Sequence, residues 1–448
     1  RAALRGGVQT VQYRDKVSPP ARQRELATQF AALCRASGVI FLVNDSPQLA
    51  LDSGADGVHL GQGDGSVAAA RALLGPDKII GVSTRTTEQA RQAQADGADY
   101  IGLGAMFATG SKNDAVCVGV ERLIEVRAAV KLPIVAIGGI NRTNIAQVVD
   151  AGANAVAVIS AVTADPDPAL AARELNLAFN RRLAPPAGRV LTVAGSDSGG
   201  GAGIQADLKT ITLLGAYGMS AITALTAQNT RGVSGIHPCP TDFVARQMDD
   251  VLSDIGADVL KTGMLFSAEI VAAVADAIKH YALPAVIDPV MIAKGGAPLL
   301  KPDAVAVLRE QLIPCAYLLT PNLPEAEALV GFPVRNEIEM GKAARHLQNL
   351  GARNVLLKGG HLETTAVDLL LAGNELHRFP SERLTTRHTH GTGCSYAAAI
   401  ATLLARGESL LQAVTLGKQF IHEAIRTAPG LGAGHGPVNH WQGAKHIL

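Results

Sequence analysis

Short β-branched runs alternate with alanine-rich helical stretches along the whole chain, the pattern of buried parallel strands covered by helices. Before residue 180 the runs are "GVQTVQYR" (7–14), "VIFLVND" (39–45), "GVHLG" (57–61), "IIGVS" (79–83), "YIGLGAM" (100–106), "PIVAIGG" (133–139) and "AVAVISA" (155–161). The phrases "SGADGVHLG", "DGADYIGLG" and "AGANAVAVI" repeat one device: a helix ends in glycine, a tight turn follows, and a buried strand begins. Repeated βα units predict a (β/α)8 TIM barrel. Seven strands are legible and the chain opens on "RAALRGG", a helix end, so the barrel is expected to lack its first strand.

The stretch "NRRLAPPAGR" (180–189) joins basic residues, two prolines and a glycine, and reads as a linker between a barrel over 1–179 and a second domain over 190–448. In that domain "RVLTVAGSD" (189–197), "MSAITALTAQNT" (219–230), "VLKTGML" (259–265), "PAVIDPVM" (284–291), "YLLTPN" (317–322) and "NVLLKGG" (354–360) predict strands of a doubly wound α/β sheet.

Composition narrows the function classes. Lys+Arg 40 against Asp+Glu 39 leaves no basic footprint for nucleic acid or an anionic membrane, so an anionic ligand must be held by local groups. Cys34, Cys117, Cys239, Cys315 and Cys394 are scattered, which argues against a disulfide framework or structural zinc and for a reducing, cytoplasmic setting. No transmembrane run or signal peptide is legible, and the chain starts at Arg1 without Met. Small-molecule substrates are the expected partners, and a homo-oligomer is compatible with the sequence.

Candidate chemistry lies at strand ends. "AGSDSGGGAGIQADLKT" (194–210) is rich in glycine before an amphipathic helix, but it is neither a Walker A motif nor a clean G-x-G-x-x-G. "TPNLPEAEAL" places Asn322 and Glu325 on a strand-to-helix loop, where they either organise a hydrated Mg2+ against phosphate or cap the helix. "HTHGTGCSYAAA" opens an apolar helix through Gly391, Thr392, Gly393 and Cys394, a nest of backbone N–H groups for an anion with a thiol inside it.

Taken in order, "AGSDSGGGAGIQADLKT", "ALTAQNTRGV", "KTGML", "DPVM", "TPNLPEA", "KGGH" and "THGTGC" resemble the ribokinase-like superfamily, and within it hydroxymethylpyrimidine/phosphomethylpyrimidine kinases, over roughly residues 190 to 440. The resemblance implies ATP as co-substrate and makes Cys394 the catalytic base. A helix N-terminus lowers a thiol pKa from about 8.5 to roughly 3.5–7.5, and such a thiol could take the substrate hydroxyl's proton. By the same resemblance Gln228 would hydrogen-bond the pyrimidine, Gly195 and Asp207 would line its pocket, Met264 would cover its ring, and Lys358 would approach ATP phosphates. His388 and Gly295 depart from the family's usual residues. A pyridoxal-type kinase is the neighbouring activity on the same fold.

In the first domain Gln12, Arg14 and Lys16 sit at the end of a strand, and Asp45 and Asp64 follow the next two. Two carboxylates facing basic groups suggest Mg2+ bridging a pyrophosphate, with surface ion pairs as the plainer alternative. "FATGSKND" supplies Thr109, Ser111 and Lys112, while Gly139, Ile159 and Ser160 end the last strands as in many barrel phosphate sites. The ensemble resembles thiamine phosphate synthases over residues 1 to about 178, although Ser46-Pro47 follows Asp45 where arginine is usual. That resemblance assigns Gln12, Arg14, Lys16, Asn44, Ser83 and Lys112 to hydroxymethylpyrimidine pyrophosphate and Asp45 and Asp64 to Mg2+. Thr109, Ser111, Gly139, Ile159 and Ser160 would hold thiazole phosphate. It implies a dissociative reaction: pyrophosphate leaves, assisted by Lys112, and the thiazole nitrogen attacks a pyrimidine-methyl cation. A thiazole tautomerase is the related alternative.

Together the halves read as a bifunctional enzyme of thiamine biosynthesis. The rival reading is a pyrimidine or pyridoxal-type kinase carrying an inactive barrel as a binding or oligomerisation module.

Overall fold

The computed structural model describes residues 1–109, 116–291, 302–360 and 366–448, which form two compact units, Arg1–Phe179 and Asn180–Leu448. In the first, β1 (Thr10–Tyr13), β2 (Ile40–Asn44), β3 (Gly57–Leu60), β4 (Ile79–Thr84), β5 (Tyr100–Gly104), β6 (Ile134–Ile137) and β7 (Ala155–Ala157) form one parallel sheet in chain order. This is the α/β barrel topology, with β1 and β7 as its edges. Phe41, Val58, Leu60, Ile80, Ile101, Leu103 and Ile134 make a core that is at most 1 % exposed.

The repeated Gly-Ala-Asp/Asn phrase has a local cause. Gly54, Gly97 and Gly152 take φ of 69°, 83° and 108°, values that favour glycine, and turn the chain out of a helix. The alanine that follows is buried (Ala55, Ala98, Ala153). The Asp or Asn after it reaches back to the preceding strand. Asp56 accepts from Phe41 N (2.8 Å), Asp99 from Ile80 N (2.7 Å) and Asn154 from Ile134 N (3.0 Å). Each phrase thus ends one helix and ties the next strand to its neighbour.

In the second unit β8 (Arg189–Asp197), β9 (Tyr217–Asn229), β10 (Gly232–Pro238), β11 (Val259–Thr262), β12 (Ala285–Ile287), β13 (Leu318–Leu319), β14 (Asn354–Leu357), β15 (Ala366–Ala372) and β16 (Glu375–Ser381) form one sheet. Its order is β10-β9-β8-β11-β12-β13-β14-β15-β16. The run from β9 to β14 is parallel, while β10, β15 and β16 pair antiparallel at the two ends. These three were not anticipated, although Gly373-Asn374 between β15 and β16 is a hairpin signal. The chain winds outward from β8 in both directions, so the carboxyl ends of β8 and β11 flank a topological switch point, where such sheets bind ligands.

Residues 180–189, expected as a linker, are held to this unit. Asn180 Nδ2 donates to Ala405 O (2.8 Å), Arg181 pairs with Glu408 (2.7 Å) and Ala187 N donates to Gly215 O (2.8 Å). Among the described residues no helix is long and apolar enough to cross a membrane.

Candidate active sites

β8 ends on Asp197, which organises the glycine-rich turn after it. Its carboxylate accepts from Gly199 N (2.7 Å), Gly201 N (3.1 Å), Ala202 N (2.8 Å) and His390 Nε2 (2.9 Å). Burial opposes its charge, but His390 and these backbone donors outweigh it, leaving the carboxyl below its ordinary range. His390 belongs to the second glycine loop, which opens the helix Thr392–Ala405. A Cβ on Gly201 would lie 2.6 Å from the His390 ring, and one on Gly391 only 1.7 Å from Gly201 O. Gly391 also has φ 80°. The two glycine loops therefore meet backbone to backbone, which explains why no Ser, Thr, Asp or Asn caps this helix.

Behind the loops lies a buried charge cluster. Lys261 and Asp207 are fully buried at 0 %, with Nζ 2.8 and 2.9 Å from the carboxylate oxygens, and Thr192 Oγ1 donates to Asp207 at 2.6 Å. Burial works against the Lys261 charge, yet Asp207 outweighs it and the ammonium persists. Lys358 pairs with buried Asp288 at 2.7 Å, and a Cβ on Gly393 would lie 3.5 Å from Lys358 Nζ and 3.4 Å from Asp288 Oδ2. Lys358 thus stands against the helix N-terminus that follows Gly391. Asn322 and Glu325 form a capping box, each accepting the other's backbone N–H at 2.9 Å. Burial raises Glu325 to about 7, against the pull of Lys358.

Cys394 departs from its expected chemistry. The helix N-terminus was expected to lower its pKa, but burial pushes the thiol up to about 11. Lys261 and the Gly203 N–H favour the thiolate, whereas Asp207 and Asp288 disfavour it. At neutral pH the group is a thiol.

The residues expected around the pyrimidine lie near one another in part. A Cβ on Gly195 would touch Met264 Cε at 2.4 Å, and Thr223 Oγ1 fixes Met264 through its carbonyl at 2.6 Å. Gln228 meets Ser198 through its backbone and His390 through its side chain. Asp207 sits among Lys261 and Thr192 with no exposed surface.

In the first unit Asp45 and Asp64 line one open cleft of about 330 Å3 with Ser46, Pro47 and Ser66. Lys16 pairs with Asp45 at 3.1 Å, Asn44 contacts the other Asp45 oxygen, and Asp64 accepts Gly61 N at 2.8 Å. Ser46 caps the helix Pro47–Ser53 by accepting Leu49 N at 3.1 Å, a local reason for Ser-Pro at this place. Gln12 and Arg14 are exposed at the end of β1. Ser83, one residue before the end of β4, contacts His59 Nε2 at 2.9 Å. Gly139 follows β6 with φ 67°, its carbonyl held by Asn144 Nδ2 at 2.9 Å. Ile159, 63 % exposed, and Ser160 follow β7, and Thr109 follows β5. Ser111 and Lys112 lie outside the described residues.

Several residues here carried no assignment in the sequence: Asp197, Lys261, Asp288 and His390 in the second unit, His59 and Tyr100 in the first. Tyr100 OH lies 2.8 Å from His59 Nδ1 and Ser83 Oγ 2.9 Å from His59 Nε2, so a chain of hydrogen bonds runs from Tyr100 through His59 to Ser83. The quoted runs "AGSD", "KTGML", "DPVM", "HGTGC", "GVHLG" and "YIGLGAM" contain all six, but membership in a run does not say which side chains meet.

Residues 197–439 match the phosphomethylpyrimidine kinase family and residues 1–162 the thiamine monophosphate synthase family. The chain is 57 % identical to the thiamine biosynthesis bifunctional protein ThiED of Geobacter sulfurreducens, over all of this chain and 91 % of that protein. It is 48 % identical to the hydroxymethylpyrimidine/phosphomethylpyrimidine kinase of Bacillus subtilis, over 58 % of this chain and 97 % of the relative. The crystal structure of Bacillus subtilis pyridoxal kinase as an ADP complex is similar at TM-score 0.54 and 40 % identity, covering 57 % of this chain and 98 % of the other. With both site regions on one chain and full-length similarity to a bifunctional relative, this transferase belongs to the family of bifunctional thiamine-biosynthesis proteins, with a thiamine monophosphate synthase domain followed by a phosphomethylpyrimidine kinase domain.

Proposed function

We propose that the second unit transfers phosphoryl groups from ATP to hydroxymethylpyrimidine and then to its monophosphate. The first unit then couples the resulting pyrophosphate to thiazole phosphate, forming thiamine phosphate and releasing pyrophosphate. The observation that carries the kinase reading is the packing of Lys358 and Gly393 at one helix N-terminus, beside Cys394. Backbone N–H groups at Gly391 to Cys394 and the Lys358 ammonium supply positive charge for the transferring phosphoryl group. Glu325 and Asn322 sit beside Lys358 and keep one carboxylate oxygen beyond the capping box for a hydrated cation on the phosphates.

The substrate hydroxyl oxygen bonds to the γ-phosphorus as the β–γ bridging oxygen leaves with ADP. The hydroxyl proton passes to Cys394 in its thiolate form. Lys261 and Gly203 N–H favour that form and burial opposes it, so the thiolate is the minor form at neutral pH. Gln228, Gly195 and Met264 hold the pyrimidine, with Asp207 behind them.

In the barrel the hard carboxylate oxygens of Asp45 and Asp64 on one cleft suit Mg2+. When bound there it offsets charge on the departing pyrophosphate. Gln12, Arg14, Lys16, Asn44, Ser83 and Lys112 hold the pyrimidine pyrophosphate, while Thr109, Ser111, Gly139, Ile159 and Ser160 hold thiazole phosphate. Five free cysteines support a reducing, cytoplasmic setting.

The test bypasses the kinase. Purified chain is given hydroxymethylpyrimidine pyrophosphate, thiazole phosphate and Mg2+, and thiamine phosphate is measured. Product formation that falls more than about a hundredfold in Asp64→Ala supports a working barrel, since outer-shell changes alone cost about 10–100-fold. No product, from protein that still phosphorylates hydroxymethylpyrimidine, would leave a kinase with an inactive barrel.

A further inference from the structure

The hydrogen inventory around His390 decides an orientation that size cannot, because the two ends of a glutamine amide are alike in shape and are told apart by their partners. Asp197 already accepts three backbone N–H groups and is ionised, so it has no hydrogen to give. Its 2.9 Å contact with His390 Nε2 therefore needs a hydrogen on that nitrogen, whether the ring is neutral or charged. The structure places the Gln228 amide nitrogen 3.1 Å from the same Nε2 and the amide oxygen toward Thr226. With NH2 at that end, two donors would face each other with no acceptor between them.

The other end of the amide gives the same answer independently. Thr226 Oγ1 lies 2.8 Å from Ser196 O, a carbonyl that can only accept, so the hydroxyl hydrogen is committed there. Thr226 then has only a lone pair left for the Gln228 amide oxygen placed 3.2 Å away, acceptor against acceptor. That position calls for NH2, while the His390 end calls for the carbonyl oxygen. Gly201 makes the arrangement sterically feasible, because any Cβ there would lie 2.6 Å from the His390 ring.

We propose that Asp197 and His390 fix the Gln228 amide with its oxygen toward His390 and its NH2 toward Thr226, so that Gln228 shows a substrate an acceptor beside His390 and a donor beside Thr226. The complementary ligand edge is an exocyclic amine next to a ring nitrogen, the edge that a glutamine amide reads on adenine. The amine faces the Gln228 oxygen and the ring nitrogen faces its NH2. His390 is a positioning residue that acts through Gln228 and sets the order in which an aminopyrimidine is read. The substrate part of the inference rests on Gln228 as a pyrimidine contact; the amide orientation does not.

Two arms test it on the full chain. In the first, two-bond 1H–15N correlation of the 15N-labelled protein reads the His390 ring, identified by the signal lost in His390→Phe. Hydrogen on Nε2 at neutral pH is expected, and a bare Nε2 would overturn the proposal. In the second, kinase kinetics compare hydroxymethylpyrimidine with its analogue lacking the exocyclic amine. His390→Phe should raise KM for hydroxymethylpyrimidine about tenfold or more and reduce discrimination against the analogue, with kcat changed much less. His390→Gln, which restores a donor, should recover part of both. A loss of kcat at unchanged KM and unchanged discrimination would overturn the positioning role. An unchanged KM in Gln228→Ala would instead overturn Gln228 as substrate contact and the specificity with it, a failure separable from that of the amide orientation read by the first arm.

Discussion

Gly391→Ala is the most direct perturbation of the kinase site. The new Cβ would lie 1.7 Å from Gly201 O and 2.8 Å from Gly201 C, both rigid backbone atoms. A carbon and a carbonyl oxygen approach no closer than about 3.3 Å, so one loop must retreat by about 1.6 Å. A displacement of about 1 Å at a positioning element costs on the order of 10²-fold in rate, so kcat/KM for ATP-dependent phosphorylation should fall about a hundredfold or more. Alanine at φ 80° adds strain of about 1–2 kcal/mol. At about 2–4 °C per kcal/mol for a unit of this size, that strain alone lowers melting by about 2–8 °C and the displaced loops lower it further, so the rate is read below the melting point that calorimetry gives. A coupled ADP-release assay gives the rate and calorimetry the melting point, with barrel turnover on supplied pyrophosphate as an internal control. Phosphorylation within about threefold of the parent would refute the argument that catalysis needs the two loops in contact.

Other outcomes follow from the same cluster. Cys394→Ala should lower phosphoryl-transfer turnover by about 10²–10⁴ with little change in melting; near-parent turnover would make the thiol structural. Because burial raises that thiol to about 11, parent turnover and iodoacetamide labelling of Cys394 should both climb as pH rises above neutral, and a rate flat from neutral to alkaline pH would contradict a thiolate base. Lys261→Met strands a fully buried Asp207 and should cost about 3–5 kcal/mol in denaturant unfolding, much of it recovered in Lys261→Met/Asp207→Leu; a single variant as stable as the parent would mean the pair carries no charge. Glu325 binds its proton more tightly folded than unfolded, so it contributes stability below the ordinary glutamate range that is lost as pH rises to about 7. Melting of Glu325→Gln, compared with the parent across that window, should lack this decline, and parallel curves would show that Glu325 titrates normally.

Much of the architecture is legible because its causes are local. A glycine at positive φ, a buried alanine and an Asp or Asn bonded to the previous strand lie within three consecutive residues, so Gly54-Ala55-Asp56 and its two repeats announce a barrel unit before any long-range contact is known. The six parallel strands of the kinase sheet are apolar runs of the same kind. Its antiparallel ends were not legible as strands: β10 and β16 are largely exposed on their pattern, so hydrophobic periodicity says little about them.

The sites divide along the same line. Glycine-rich loops, the thiol at a helix start and the carboxylates after strands are sequence features, and they suffice to locate chemistry. Which charges face which is a tertiary matter. Lys261 meets Asp207 across 54 residues, Lys358 meets Asp288 across 70, and His390 meets Asp197 across 193. Cys394 shows the consequence: its own helix argues for a lowered pKa, but what covers the sulfur comes from elsewhere in the fold, and desolvation wins. Backbone turns and strand ends depend on neighbours in sequence and so were determined by sequence alone; solvation and charge pairing depend on neighbours in space, and only the folded structure supplies them.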